Sequence, residues 1–257
     1  MGDSSQFISQ SQLKLMLRFI LIIILSAIIT KDVLAESKKD STRISSLTIV
    51  PRLNSAGYFP FTGALLNHNT NFDVNFVYQN QAFGFLLFKS LDLKESKSAI
   101  NYLQTALFKQ FSASKTISFG VYAGYVFSQT QAFRDKRDSD YFGAMTFYWN
   151  LNPRLRLENI ALYSDITIQQ KIVNRLLLFY TINDFRFDLS IHERVVFETL
   201  NWSTTAVLGV NFPKLKLTEH LSAQTTITYQ NYLTNARPDF ALKNGFLFSL
   251  SFPLKYN

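Results

Sequence analysis

The sequence predicts an all-β protein: a closed antiparallel transmembrane β-barrel of about twelve strands, within a range of ten to fourteen, preceded by a signal peptide. Three observations predict it. The chain holds 25 Phe and 12 Tyr, yet beyond its N-terminal segment it has no long apolar run. Apolar and polar residues alternate with a period of two, which belongs to strands and not to helices. Turn-like residues divide these alternating segments, and the links between them are alternately long and short.

The elements follow in chain order. Residues 1–35 read as an export signal, with Lys14 and Arg18 as its basic region, Leu17 to Ile29 as its apolar core and Val33-Leu34-Ala35 as a small-x-small cleavage pattern before Glu36. The apolar run is short of the roughly 20 residues of a transmembrane helix. Lys31 and Asp32 are unusual ahead of such a site, so an uncleaved anchor is the alternative. Residues 36–43 (ESKKDSTR) are a short polar lead-in, and 44–257 are expected to form a single barrel domain.

Strands are expected near 44–52, 72–79, 82–93, 99–111, 116–128, 140–151, 154–164, 171–182, 185–197, 203–212, 214–229 and 243–254. The alternation is plainest where Phe72, Val74, Phe76 and Tyr78 oppose Asp73, Asn75 and Gln79, and where Phe185, Phe187, Leu189 and Ile191 oppose Arg186, Asp188, Ser190 and His192. Most of these segments approach the roughly 9 to 11 residues of a tilted membrane strand, against about 5 or 6 in soluble domains.

The short links are Asn80-Gln81, Ser112 to Lys115, Asn152-Pro153, Asn183-Asp184 and Pro213-Lys214. The long ones are 53–70, 94–98, 129–139, 165–170, 198–202 and 230–242. Outer-membrane barrels have short periplasmic turns and longer external loops, so this order puts both termini on the periplasmic side. A soluble β-sandwich, the competing fold, gives no reason for such alternation. Closure follows from energetics, because an unpaired backbone group in hydrocarbon costs several kcal/mol and a cut sheet leaves its edges unpaired.

Composition excludes several chemistries. The chain has no Cys, which removes disulfides, a lipidated cysteine, thiol nucleophiles and Cys-based metal sites. The net charge of +8 suits lipopolysaccharide phosphates or anionic solutes; the basic residues are scattered, no nucleic-acid motif accompanies them, and no nucleic-acid partner is expected. No cofactor or metal site is expected: the three His are dispersed, and Asp135, Asp138 and Asp140 lack the calcium-loop spacing.

With these segments and links, residues 44–254 resemble the bacterial outer-membrane β-barrel proteins as a class, most like the small uncharacterised barrels of Bacteroidetes-type Gram-negative bacteria. The resemblance implies a Gram-negative outer-membrane location, contact with membrane lipid and lipopolysaccharide, and insertion by the barrel-assembly machinery. The class often ends in Phe; this chain continues past Phe252 through Lys255 and Tyr256 to Asn257.

The lumen is expected on the polar phase. Its candidate lining or pairing residues are Asp73, Asn75, Arg156, Glu158, Arg175, Arg186, Asp188, His192 and Arg194. Such charges either pair to fill a narrow barrel or form a constriction that sorts solutes by charge. Gly120 and Gly124 leave room for water or for a bulky neighbour, or mark curvature. Loop 53–70 carries Tyr58, Phe59, Phe61, Leu65 and Leu66; it is apolar enough to plug the barrel mouth, dock on lipid or hide an irregular part of the first hairpin. Three functions follow: a narrow channel for passive passage of small solutes, a non-conducting structural or surface-interaction barrel with a charge-filled lumen, and an outer-membrane lipid hydrolase. The last has weak chemistry. Ser190 and His192 share a face, but residues two apart in a strand are about 6 to 7 Å apart, too far for a nucleophile and its base without a rotamer stretch.

Overall fold

Backbone hydrogen bonding organises the structure from end to end. The computed structural model describes residues 45–59, 63–96, 101–128, 140–164, 171–197, 199–234 and 241–256. The expected signal segment and lead-in lie outside these residues. Sixteen strands run through them: β1 (Ser45–Asn54), β2 (Gly57–Phe59), β3 (Ala64–Asn67), β4 (Asn71–Asn80), β5 (Phe83–Asp92), β6 (Tyr102–Ser112), β7 (Ile117–Ser128), β8 (Asp140–Asn152), β9 (Leu155–Ser164), β10 (Lys171–Ile182), β11 (Phe185–Val196), β12 (Asn201–Asn211), β13 (Leu215–Lys216), β14 (Ser222–Tyr232), β15 (Asn244–Ser251) and β16 (Leu254–Tyr256).

Twelve of these are the staves of a closed antiparallel barrel. From β4 to β12 each strand pairs with its neighbour in sequence, then β12 pairs with β14, β14 with β15, β15 with β1 and β1 with β4. The ring therefore has no free edge, which is the condition for a sheet in hydrocarbon. The two faces separate cleanly. In β15, Phe246 and Phe248 are 59% and 52% exposed on the outside, while Leu247 and Ser249 are 5% and 7% exposed on the inside. Tyr141, Tyr163 and Trp202 stand on the outer face near the long-link end, and Trp149 and Tyr180 near the short-link end, as in the aromatic girdles of membrane barrels.

The tight links have the backbone that their residues favour. Asn183 and Asp184 both have positive φ, 45° and 66°, the two-residue hairpin geometry that matches strand twist and that Asn and Asp tolerate. Gln81 takes φ 54° at the first tight link. The room at Gly124 is filled by a bulky neighbour: the Phe142 ring and the Thr105 carbonyl oxygen occupy the space of a Cβ. Phe108 lies over Gly84 in the same way.

Two expected elements differ. The segment 214–229 is not one strand reached by a two-residue turn. Residues 212–221 form a longer connection in which Leu215–Lys216 folds back on Ser222–Ala223, and the stave is Ser222–Tyr232. Leu215 and Leu217 imitate strand alternation, but both side chains lie exposed in this small hairpin, so the last short link is not short. His220 accordingly sits in the connection, where its ring stacks on Tyr256 at 4.9 Å. The last expected strand is also split. Pro253 offers no N–H to the ladder, so β15 ends at Ser251 and β16 resumes at Leu254, beside Leu47–Ile49 of β1.

The packing at Gly124 makes a prediction. Gly124→Val forces the Phe142 ring or the β6 backbone to move, at a cost of about 1–3 kcal/mol for an overpacked site. The folded barrel, read by its altered gel migration before boiling, is expected to unfold at lower urea than the wild type.

Candidate functional site

The barrel interior brings together most of the residues that chemistry can use, and the loop after β1 enters it. This loop forms the β2–β3 hairpin. Its Leu65 and Ala64 are 1% and 2% exposed. Leu65 packs with Ala56 and the inward Leu247 of β15, and Ala64 with the inward Tyr232 of β14. The Leu65 N–H donates to the Gln230 side-chain oxygen at 3.1 Å, and the Leu65 carbonyl accepts from the Leu242 N–H at 2.8 Å. A Cβ on Gly63 would lie 2.8 Å from Val207 and 2.9 Å from the His192 ring. The hairpin thus starts from β1, lies on the inner face of β14 and β15, and reaches the inner face of β11 and β12. Only Gly fits at this contact, and its φ of 65° also favours Gly. The apolar composition of 53–70 was the signal for this inward fold; Phe61 lies outside the described residues.

Four groups of polar side chains line the wall around the hairpin. Near the long links, Asn54 donates to Asp73 at 2.6 Å and accepts from Ser249 at 2.6 Å, and Arg52 stands 4.0 Å from Asp73. On β9 and β10, Glu158 lies between Arg156 at 3.1 Å and Arg175 at 3.7 Å. On β11 and β12, Arg186 grips Asp188 with two hydrogen bonds of 2.8 and 3.1 Å, and Asn211 donates to the same carboxylate at 2.6 Å. Higher on β11, Ser190 and His192 are in contact, with the Ser190 oxygen 3.0 Å from His192 Nε2.

This last contact is made by the rotamer stretch that the backbone spacing requires. The backbone spacing of two residues in a strand is too long, but both side chains lean along the same face and close the gap. Arg194 is half-buried on the same phase, and Asn75 continues the inner phase of β4 below Asp73. The groups of Asp73 and of Glu158 are separate clusters on different staves.

Aromatic rings that the polar phase concealed complete the interior. The Arg156 guanidinium lies 4.7 Å from the Tyr148 ring and 5.7 Å from the Phe179 ring, and the Arg186 guanidinium lies 5.2 Å from the same Phe179 ring. These pairs add cation–π attraction to the ion pairs. Tyr102, Ala106, Val126, Phe142, Leu162 and Val173 form an apolar cluster on the inner side of β6–β10. The inner face is therefore mixed and not uniformly polar. Tyr58 of the hairpin faces Arg175 and Arg52; burial pushes its hydroxyl above the usual phenol range, and the two guanidinium groups pull it the other way.

At the short-link mouth a cavity of about 420 Å³ is lined by Arg154, Arg156, Arg186, Glu158, Asn150 and Phe179 among others. Its charges are predominantly cationic. Among the described residues no three His, Asp or Glu side chains converge as a metal site would require.

Comparison with known proteins bears on the fold. No family model matches the chain, and no curated protein matches it. Solved structures do. A chain described as "KdgM porin" superposes with TM-score 0.52 at 8% identity, over 82% of this chain and 99% of that one. A chain from a study of in-meso crystallization of membrane proteins gives TM-score 0.51 at 10% identity, over 82% of this chain and 84% of that one. At these identities the likeness is one of fold: the chain has the architecture of bacterial outer-membrane β-barrels.

The ion pairs make a prediction. Glu158→Leu leaves two guanidinium groups facing each other across a largely buried site, and is expected to lower stability by about 1–3 kcal/mol, the cost of an uncompensated buried partner. Arg156→Leu is expected to cost less, because its guanidinium is half-exposed and the remaining Arg175 still neutralises Glu158. Urea unfolding of the two variants side by side checks the order.

Proposed function

We propose that the protein is a narrow outer-membrane channel for the passive passage of small solutes, with the β2–β3 hairpin setting its width. The observation that carries this reading is the polar cavity at the short-link mouth, where Arg154, Arg156 and Arg186 outnumber Glu158. A barrel that served only as a wall gains nothing from holding half-exposed arginines around open space. The likeness in fold to a porin supports the same reading. The corresponding location is the outer membrane of a Gram-negative cell, with both termini periplasmic, lipopolysaccharide around the outer leaflet and the assembly machinery as the partner during insertion. The inward charges Asp73, Asn75, Arg156, Glu158, Arg175, Arg186, Asp188, His192 and Arg194 then line or brace the path.

A second reading is favoured by a different observation. The hairpin and the apolar cluster of β6–β10 occupy the interior near the long links, as a plugged, non-conducting barrel requires. Planar-bilayer recording separates the two. The channel reading expects small single-channel steps from the wild type and larger ones after deletion of 56–66. Steps that appear only after the deletion mean that the resting barrel is closed, and silence from both proteins overturns the channel reading.

The hydrolase alternative now has a Ser–His contact, yet we read that pair as structural. Both residues are buried at 7% and 3% exposure, Gly63 packs against the His ring, and the backbone N–H groups of β11 face ladder partners instead of forming an oxyanion hole. A serine-reactive fluorophosphonate is expected to leave the folded protein unlabelled. Covalent label recovered on Ser190 would move the reading to the hydrolase.

A further inference from the structure

The outer face carries isolated polar side chains such as Lys89, Lys109 and Asn231 on its outward phase, and at one place polar side chains cluster on adjacent staves. On β10 and β11, Asn174 and Glu193 lie opposite each other in register, both on the phase of the outward Leu176, Tyr180, Phe187, Leu189 and Ile191. Two residues towards the long links, that phase carries Ile172 and Val195, whose register partners are Tyr163 and Trp202 of the outer aromatic girdle. The pair therefore sits just beneath the girdle, on the hydrocarbon side. Every other feature of a membrane barrel argues for apolar side chains there.

The two groups are chemically complementary. The Asn159 amide N–H donates to the Asn174 carbonyl oxygen at 2.9 Å. That bond orients Asn174 and uses its acceptor, so its own amide N–H groups point away as donors. Glu193 offers acceptors only. Among the described residues it has no hydrogen bond or ion pair. A carboxylate left this way in a poorly solvating layer costs free energy, which a donor from outside the barrel recovers. An anionic lipid phosphate is the wrong partner, since it repels the carboxylate.

We infer that this face is a dimer interface with a second copy of the chain, in which Asn174 of each copy donates to Glu193 of the other. The geometry suits a two-fold axis along the membrane normal, passing between β10 and β11. Such an axis exchanges left and right at constant depth, so it brings β10 of one copy to β11 of its neighbour and forms the contact twice. A self-complementary patch is what a closed two-fold interface requires. The inference rests on the membrane-barrel fold and is independent of whether the lumen conducts.

The absence of Cys from the chain makes the test direct. Full-length protein bearing Ile191→Cys, next to the proposed axis, is reconstituted in phosphatidylethanolamine–phosphatidylglycerol vesicles and treated with a short bismaleimide. Leu87→Cys, on the outer face of β5 across the barrel, is the control. Dimer cross-linked through Ile191→Cys and not through Leu87→Cys is expected. Glu193→Leu should reduce that yield tenfold or more, Glu193→Gln should retain part of it because the amide can still accept, and Lys89→Leu should leave it unchanged. Unboiled gel migration verifies that each variant is folded. Equal cross-linking at both cysteines, none at either, or loss of the dimer with Lys89→Leu overturns the inference. So does native mass spectrometry showing a Glu193-dependent lipid on a monomer.

Discussion

The structure depends on one constraint: no backbone donor or acceptor on the wall can be left facing hydrocarbon. A sheet meets that constraint only when its first and last staves find each other. The pairings of β12 with β14 and of β15 with β1 are therefore as important as any side-chain contact. Once the ring closes, alternation along each strand sends Phe, Tyr, Leu and Ile outward and concentrates Asn, Ser, Thr, Arg, Asp and Glu inside. The inner polar groups then need partners of their own, because little water reaches some of them. The bonds from Asn54 to Asp73, from Arg156 to Glu158 and from Arg186 to Asp188 follow from that need.

The interior is also where local and long-range demands meet. The β2–β3 hairpin leaves β1, packs on the neighbouring staves β15 and β14 and reaches β12 and β11, so it fills part of the ring with a core. Its anchors are of two kinds. Leu65 contributes burial and two backbone hydrogen bonds, while Gly63 contributes the absence of a side chain beside His192. The arginines face this hairpin from β1 and β10, and the aromatic rings of Tyr148 and Phe179 hold the arginines nearer the short-link mouth. Packing is thus concentrated near the long links, where the hairpin and the Tyr102–Phe142 cluster lie beside the Arg52–Asp73 pair, and the arginines of the short-link mouth stack on aromatic rings.

Most staves were legible because each obeys a period of two over enough residues to exceed chance, and because pairs such as Asn183-Asp184 have a local conformational preference. What could not be read has a common cause, which is dependence on residues distant in sequence. Leu215 and Leu217 alternate like a stave but fold back within ten residues, and nothing local distinguishes the two outcomes. The last expected strand, 243–254, ran through Pro253, and that a second short strand resumes after it follows from the presence of β1 alongside. The Ser190–His192 contact depends on rotamers, which backbone spacing does not set. The inward fold of 53–70 was visible only as misplaced apolarity; the inner wall of β14 and β15 that receives it is about 170 residues away in the chain, a separation no local pattern encodes.

The seam between β15 and β1 carries a kinetic consequence. Their ladder is short, joining Arg52–Asn54 to Ser249–Ser251, and β16 completes it beside Leu47–Ile49. The staves β4 to β12 can grow by successive local hairpins, each closing a small loop. The seam alone must bring together segments some 200 residues apart, at the largest loop-closure entropy in the molecule. Loop-closure entropy thus makes ring closure the expected last step of assembly, and until it occurs the edges of β1 and β15 are the two surfaces that must be kept from pairing with anything else.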